Sequence, residues 1–149
     1  MSFLPLDIDP QALKAMTDHA EAAFPNECCG FFYGSEDGQI RAVTVSTEVT
    51  NSKEGDQRRR FAISDKDYLN AERHAAREGL TLLGVYHSHP LHPAIPSEHD
   101  LAVALPYFSY LIVSVQPEGT AHVRSWQLDE SRQFAEEAIV ALPDHWRVS

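Results

Sequence analysis

The chain has 149 residues, 43% hydrophobic and 23% charged, with a formal net charge of −10. This size and composition predict a single domain over residues 1–149 with a sizeable hydrophobic core. The acidic balance disfavours nucleic acid as the main partner, because an acidic protein repels phosphate backbones. No apolar run approaches the ~18 residues of a membrane span. The first residues also lack the pattern of a signal peptide, so we expect a cytoplasmic protein that does not bind membranes.

The first half of the chain predicts a helix, a hairpin and a polar loop. The helix begins at Pro10 behind the capping side chain of Asp9 and ends at Pro25. After it, alternating apolar residues and an Asp-Gly turn indicate two paired strands, and a polar stretch without periodicity indicates a loop. The two strands and the loop cover residues 28–34, 40–49 and 50–60.

The second half predicts alternating strands and helices. A brief strand at 61–63 precedes a helix that begins at Ser64 or Asp65 and stops at Gly79. The predicted elements that follow are a strand at 81–89, a short helix from 97 to about 105, a hairpin of 107–115 with 121–128, and a segment at 133–142 that fits a helix or a strand. This order indicates an α/β domain with one main mixed sheet flanked by helices.

Two histidines and an aspartate have the spacing of an open metal site. His87 and His89 end the apolar run 81–86, and on a strand they point to the same face while Ser88 points to the other. Asp100 follows eleven residues after His89, beyond a proline-rich loop. Two histidines and one carboxylate form the ligand set of a catalytic zinc, with the fourth position left for water.

A hydrolytic metal site also needs a base and a donor for the oxyanion. Glu27 stands directly before a predicted strand, and Ser97 offers a hydroxyl three residues before Asp100. Ser97 also fits a helix N-cap with Asp100 as its capping-box partner. The two roles of Ser97 are compatible, since the cap would orient the Asp100 carboxylate.

These residues resemble the motif of the JAMM (MPN-plus, Mov34/MPN/PAD-1) zinc metallopeptidase family. That motif is a distant Glu, then His-x-His-Pro, six residues and Ser-x-x-Asp, and here it reads Glu27, His87-Ser88-His89-Pro90 and Ser97-Glu98-His99-Asp100. The run Pro25–Gly30 is similar to the short bacterial branch. The resemblance implies the cytidine-deaminase-like JAMM/MPN fold and one Zn²⁺ per chain.

The resemblance also implies roles and a substrate. His87, His89 and Asp100 would hold the zinc, Glu27 would be general base for a zinc-bound water and then proton donor, and Ser97 would help to hold the oxyanion. The implied activity is a zinc (iso)peptidase that cleaves after the C-terminal Gly-Gly of a ubiquitin-like or sulfur-carrier protein. We expect the substrate tail to pair with a strand edge beside loop 50–60.

Three alternatives stay open at the level of sequence. His92 and His99 lie in the same window and could replace a ligand or bind a second metal. The chain could be a catalytically silent MPN scaffold, although silent members typically lack ligands that this chain keeps. A non-proteolytic RadC-like or phage-tail relative is the third alternative, which the acidic charge disfavours. The sequence does not indicate an oligomeric state.

Overall fold

A computed structural model describes residues 3–140 and 142–146, in which strands and helices alternate along most of the chain. The strands are β1 (Leu6–Ile8), β2 (Cys29–Glu36), β3 (Arg41–Val49), β4 (Thr81–Pro90), β5 (Ser109–Gln116), β6 (Gly119–Leu128), β7 (Phe134–Glu137) and β8 (Ile139–Val140). The helices are α1 (Pro10–Ala23), α2 (Asp65–Glu78), α3 (Glu98–Val103) and a 3-10 turn at Asp144–Trp146. None of the helices in these ranges has the length and apolar character that crossing a membrane requires.

All eight strands form one mixed sheet in the order β7-β6-β5-β4-β2-β3-β1-β8. β4 runs antiparallel to β2 and parallel to β5, and the remaining pairs include both senses. The prediction of a single mixed sheet flanked by helices is therefore confirmed. β4 lies between β2 and β5 in this order, so the strand that carries the histidines is a central strand and not an edge of the sheet.

The two faces of the sheet bury separate clusters of apolar side chains. On one face, α1 packs Leu13, Met16 and Ala20 into a cluster with side chains from the central strands. On the other face, α2 contributes Ala71 and Ala75 to a second cluster. Burial on both faces explains the nearly continuous apolar run of β4, because a central strand with helices on both sides has no solvent face.

Local signals placed the helix ends correctly. The Asp9 side chain accepts hydrogen bonds from the backbone N–H groups of Gln11 and Ala12, and Pro10 opens α1. Ser64 caps α2, and Gly79 ends it with φ of 67°, a left-handed conformation that glycine adopts without strain. These capping predictions are confirmed.

Three other predictions about elements need correction or completion. The stretch 61–63 is not a strand, because the backbone of Ala62 bonds to the side chain of Asn51 and to the backbone and side chain of Ser52, both in a loop, and not to a neighbouring strand. The ambiguous segment 133–142 contains the short strands β7 and β8, with residue 141 outside the described residues. β1 was not predicted, since three residues are too few for a periodic signal.

Candidate metal centre

The end of β4 and the start of α3 bring three buried side chains together. His87 and His89 lie on the same face of β4, with their Nε2 atoms 3.1 Å apart. Asp100 Oδ2 lies 3.3 Å from His87 Nε2 and 3.1 Å from His89 Nε2. All three residues are at most 8% exposed. The structure thus assembles the predicted metal ligands into a compact triangle of nitrogen and oxygen atoms.

A capping box at α3 orients the Asp100 carboxylate. Ser97 N–H donates to Asp100 Oδ2 at 2.9 Å, and Asp100 N–H donates to Ser97 Oγ at 3.0 Å. This reciprocal pair holds Oδ2 toward the two histidines. The bond from Asp100 N–H occupies an acceptor position of Ser97 Oγ and leaves the hydroxyl hydrogen for another acceptor. The cap and an oxyanion role for Ser97 are therefore compatible in this geometry.

The triangle fits a small divalent metal ion. Ligand atoms around a tetrahedral zinc with bonds of ~2.0–2.1 Å lie about 3.3 Å from one another, close to the separations of 3.1–3.3 Å found here. Within the described part of the chain, His87, His89 and Asp100 are the group whose ligand atoms converge. His92 and His99, the alternative ligands, are outside this group.

The protonation states of His87 and Asp100 suit metal binding, whereas His89 would have to lose a proton more readily than it does in the metal-free protein. Burial lowers the pKa of His87 and outweighs the effect of Asp100, so His87 is neutral at neutral pH. Burial alone would raise the pKa of Asp100, but the two histidines and Ser97 N–H together hold this pKa well below its usual value. For His89, burial lowers the pKa, but the hydrogen bond and charge of Asp100 outweigh it and the net pKa is raised. A neutral imidazole and an ionised carboxylate are the forms that bind metal.

Neighbouring groups fix the orientation of both imidazole rings. His89 Nδ1 lies 2.8 Å from the carbonyl oxygen of Pro93, which leaves Nε2 free as a ligand atom. The His87 ring stacks on Phe61, with centroids 4.4 Å apart and planes at 26°. Phe61 is a residue that the sequence reasoning missed at the site. Its only signal was a large aromatic side chain directly after a polar loop.

Glu27 is a buried carboxyl group beside the triangle. It precedes β2, is 6% exposed, and its Oε1 has no hydrogen-bond partner among the described residues. Burial raises the pKa of Glu27, and this effect outweighs the lowering by the neighbouring His89, so the pKa is about 8. A cation held by the triangle would lower this pKa and favour the carboxylate.

The candidate catalytic residues share one cleft. Its volume is about 570 Å³, and its lining residues are Glu27, Arg59, His89, His92, Pro93, Ile95 and Ser97. A second, more apolar hollow lies between α2 and α3, and His99 lines that one together with Phe61 and Val103. The structure therefore separates the two alternative histidines: His92 lies in the cleft, whereas His99 lies in the adjacent hollow.

Comparison with known proteins places the chain among named relatives. The family described as prokaryotic homologs of the JAB domain matches residues 9–129, which include every candidate site residue. A desampylase of Pyrococcus furiosus is 29% identical over 115 residues, 76% of this chain and 75% of that protein. A desampylase of Haloferax volcanii is 30% identical over 112 residues, 74% of this chain and 77% of that protein. A probable TtuB-protein conjugate cleaving protease of Thermus thermophilus is 42% identical over 67 residues, 45% of this chain and 42% of that protein.

Solved structures with the same fold are found as well. A protein from Desulfitobacterium hafniense has a TM-score of 0.79 and 30% identity, and the match covers 97% of this chain and 99% of that one. A protein from Salinibacter ruber has a TM-score of 0.70 and 34% identity over 95% of both chains. A JAB1/MPN domain protein from Archaeoglobus fulgidus has a TM-score of 0.55 at 19% identity, covers 94% of this chain and 100% of its own, and shows the shared fold.

Proposed function

The chain belongs to the prokaryotic JAB family of hydrolases, and from this premise we propose that it is a zinc-dependent peptidase or isopeptidase. Its substrate would be a ubiquitin-like or sulfur-carrier protein, cleaved after the C-terminal Gly-Gly. The observation that carries the proposal is the convergence of His87, His89 and Asp100 beside the buried carboxyl group of Glu27. Relatives named as desampylases and as a conjugate cleaving protease support it.

His87, His89 and Asp100 would hold one zinc ion per chain. When bound, zinc supplies a Lewis acid that lowers the pKa of a water molecule and polarises a carbonyl group. The protein contributes a neutral His87, an ionised Asp100 and the Pro93 carbonyl that orients His89. Two histidines and one carboxylate leave a position open to the reactants, as in catalytic zinc sites.

Glu27 would move the proton. Its carboxyl group lines the same cleft as His89, and a cation held by the triangle would favour the ionised form that can accept a proton. As general base it would accept a proton from the attacking water and then deliver it to the leaving amine. The amine leaves as a neutral group, so the proton that Glu27 took from water ends on the product.

Ser97 would stabilise the negative charge that develops on the scissile carbonyl oxygen. Its hydroxyl lines the cleft, and its hydrogen is available because Oγ accepts the bond from Asp100 N–H. The capping box holds this hydroxyl in place before the substrate arrives. A preorganised donor of this kind is worth several kcal/mol in a transition state, about 10²–10³-fold in rate.

The proposed substrate is supported by the relatives and by the form of the cleft. Pro93 and Ile95 make one side of the cleft apolar, and the exposed side chain of Arg59 lies at another part of its wall. A Gly-Gly tail has no Cβ atoms, so its backbone can approach the cleft walls more closely than that of other residues. One relative is named a probable TtuB-protein conjugate cleaving protease and another a desampylase, and these names support a protein conjugate as the substrate of this chain.

Glu27→Gln separates the chemistry from metal binding. The zinc-loaded protein should cleave a ubiquitin-like protein that is linked through its C-terminal Gly-Gly to a lysine peptide, and mass spectrometry should find the cut after the second glycine. Glu27→Gln should keep its zinc and lose ~10²–10⁴-fold in turnover, because no group would accept the proton.

The controls for this assay are a chelator and a substrate change. A chelator should stop cleavage, and added zinc should restore it. Replacing the second glycine of the tail with valine should block cleavage without affecting zinc. Near-normal turnover by Glu27→Gln would move the base role to another residue of the cleft, with His92 the next candidate. Absence of cleavage by the zinc-loaded wild type on any Gly-Gly-linked carrier would reject the proposed substrate.

A further inference from the structure

Both backbone polar groups of Glu27, its N–H and its carbonyl oxygen, form hydrogen bonds with the irregular segment 51–60. Glu27 N–H donates to the carbonyl oxygen of Gln57 at 2.7 Å. The carbonyl oxygen of Glu27 accepts a hydrogen bond from Asn51 Nδ2 at 3.2 Å. The polar loop that the sequence places beside the site is thus joined to the very residue that carries the candidate base.

Asn51 joins four points of the chain through one side chain. Besides the bond to Glu27, Nδ2 donates to the carbonyl oxygen of Arg60 at 3.2 Å. Oδ1 accepts from the backbone N–H groups of Lys53 at 2.9 Å and Ala62 at 3.0 Å. Gln57 supports the same loop, because its Nε2 donates to the carbonyl oxygens of Asn51 and Lys53. The side-chain amide of Asn51 therefore both closes the loop and binds it to the backbone of Glu27.

The carboxylate of Glu27 depends on this backbone anchoring. Its Oε1 is buried and has no hydrogen-bond partner among the described residues, so no hydrogen bond to these residues orients this oxygen. The next residue, Cys28, is held from the other side, where its N–H donates to Ser88 Oγ at 2.8 Å. Ser88 stands between the two candidate metal ligands on β4. Hydrogen bonds therefore fix the backbone at Glu27 and Cys28 to β4 on one side and to the loop on the other. On the loop side, Asn51 is the residue whose side chain makes this bond.

We propose that Asn51 is a positioning residue for Glu27, setting the distance between its carboxylate and the metal centre. This inference rests on the proposed function in one respect, the role of Glu27 as base. The physical reason is that general-base catalysis needs heavy atoms within hydrogen-bond reach, so that a displacement of about 1 Å costs up to 10²-fold in rate. Asn51 would act on kcat, since it contacts Glu27 and is not a member of the cleft lining.

Two variants of Asn51 and a neighbouring control test this role. Asn51→Asp keeps the acceptor for Lys53 and Ala62 but cannot donate to Glu27, and Asn51→Ala removes all four bonds without adding a charge. Ser52→Ala is the control, because it removes a bond from the same loop to the Ala62 carbonyl and touches no part of Glu27. Both Asn51 variants should lower kcat about 10–100-fold with unchanged KM and zinc content. Ser52→Ala should stay within about twofold of wild type.

A double-mutant cycle separates positioning from general stability. If Asn51 acts through Glu27, Asn51→Asp should cause no further loss of residual turnover in the Glu27→Gln background. A purely structural role would lower turnover by the same factor in both backgrounds, and that outcome would overturn the inference. A Glu27→Gln protein with normal turnover would instead show that Glu27 is not the base, and this outcome would overturn a catalytic consequence of the Asn51 contact.

Hydrogen exchange of the Glu27 amide tests the anchoring without any substrate. In metal-free protein, Asn51→Ala and Asn51→Asp should speed exchange of this amide at least about tenfold, because the Gln57 carbonyl that protects it belongs to the loop. Ser52→Ala should leave the exchange unchanged. Unchanged exchange in Asn51→Asp, with the fold intact by circular dichroism, would overturn the inference whatever the turnover. Should Asn51→Ala not fold, Asn51→Asp, which retains two of the four bonds, carries the test.

Discussion

Two groups of buried charged side chains lie at opposite ends of the same sheet, and they differ in what balances their charge. At the start of β4, the guanidinium of Arg41 is 2% exposed. Its Nη1 donates to Ser109 Oγ at 2.6 Å, its Nη2 donates to the Leu83 carbonyl oxygen at 3.2 Å, and its Nε lies 2.9 Å from Glu36 Oε2. The ring of Tyr107 packs on the guanidinium, with 4.6 Å from Cζ to the ring centroid. In this group the protein itself supplies the cation.

At the end of β4, a bound metal ion would supply the corresponding positive charge. The facing atoms of His87, His89 and Asp100 contact one another and Ser97 N–H, all within a triangle that a metal ion would fill. Burial of charge is common to both groups and therefore does not distinguish a site from a structural network. The difference is that Arg41 forms an ion pair with Glu36 inside the protein, whereas three electron-pair donors converge at the metal centre.

Removing one ligand should have the largest effect, because it abolishes the metal centre altogether. His89→Ala should hold almost no zinc by elemental analysis, whereas wild type should hold about one ion per chain. His92→Ala is the matched control, since His92 lines the same cleft but lies outside the converging group. Stoichiometric zinc in His89→Ala, or its loss in His92→Ala, would contradict the ligand assignment.

Removing the internal cation should affect stability and not metal binding. Arg41→Met should lower the free energy of unfolding by about 3 kcal/mol in urea titrations, because buried acceptors lose a charged donor. Zinc content should stay near wild type.

Arg124→Met provides the comparison for that variant. Arg124 also pairs with a carboxylate and packs on an aromatic ring, but its partner Glu136 is 43% exposed. Because water screens such a pair, the loss should be no more than about 1 kcal/mol. Equal losses in the two variants would mean that burial does not set the strength of these networks.

A further expected effect is a pH dependence of stability that becomes weaker when zinc is bound. Glu27 has a pKa of about 8 in the folded metal-free protein and 4.5 as its ordinary value. A raised folded pKa contributes stability below pH 4.5 that is lost as pH rises through about 8. Metal-free wild type should therefore lose up to about 1.4 kcal/mol per pH unit in this window relative to Glu27→Gln, measured by urea unfolding. If the free energies of unfolding of the two metal-free proteins changed with pH in the same way, a raised pKa of Glu27 would be contradicted.

With zinc bound, the difference between wild type and Glu27→Gln should shrink. The cation lowers the pKa of Glu27 and so brings the folded value closer to the unfolded one. This comparison uses the same two proteins and differs only in the metal. A difference of the same size in both states would mean that the ion does not act on Glu27.

Most helices and longer strands followed from local signals. Asp9 and Ser64 capped helices where expected, and Gly79 ended one, because caps and left-handed turns depend on residues within one turn of the chain. The mixed sheet also followed from the order of elements. The prediction of a brief strand at 61–63 was wrong because Ala62 bonds to Asn51 and Ser52, which belong to a loop about ten residues earlier in the chain.

The sequence by itself determined the composition of the candidate site. The spacing of His87, His89 and Asp100 indicates a metal centre because a strand and a capped helix are local structures with known side-chain directions. The tertiary structure alone decided that β4 lies in the middle of the sheet, that Phe61 stacks on His87, and that Asn51 binds the backbone of Glu27. These contacts join residues that are 24 to 26 positions apart, and local patterns carry no record of which distant segments meet when the chain closes its loops.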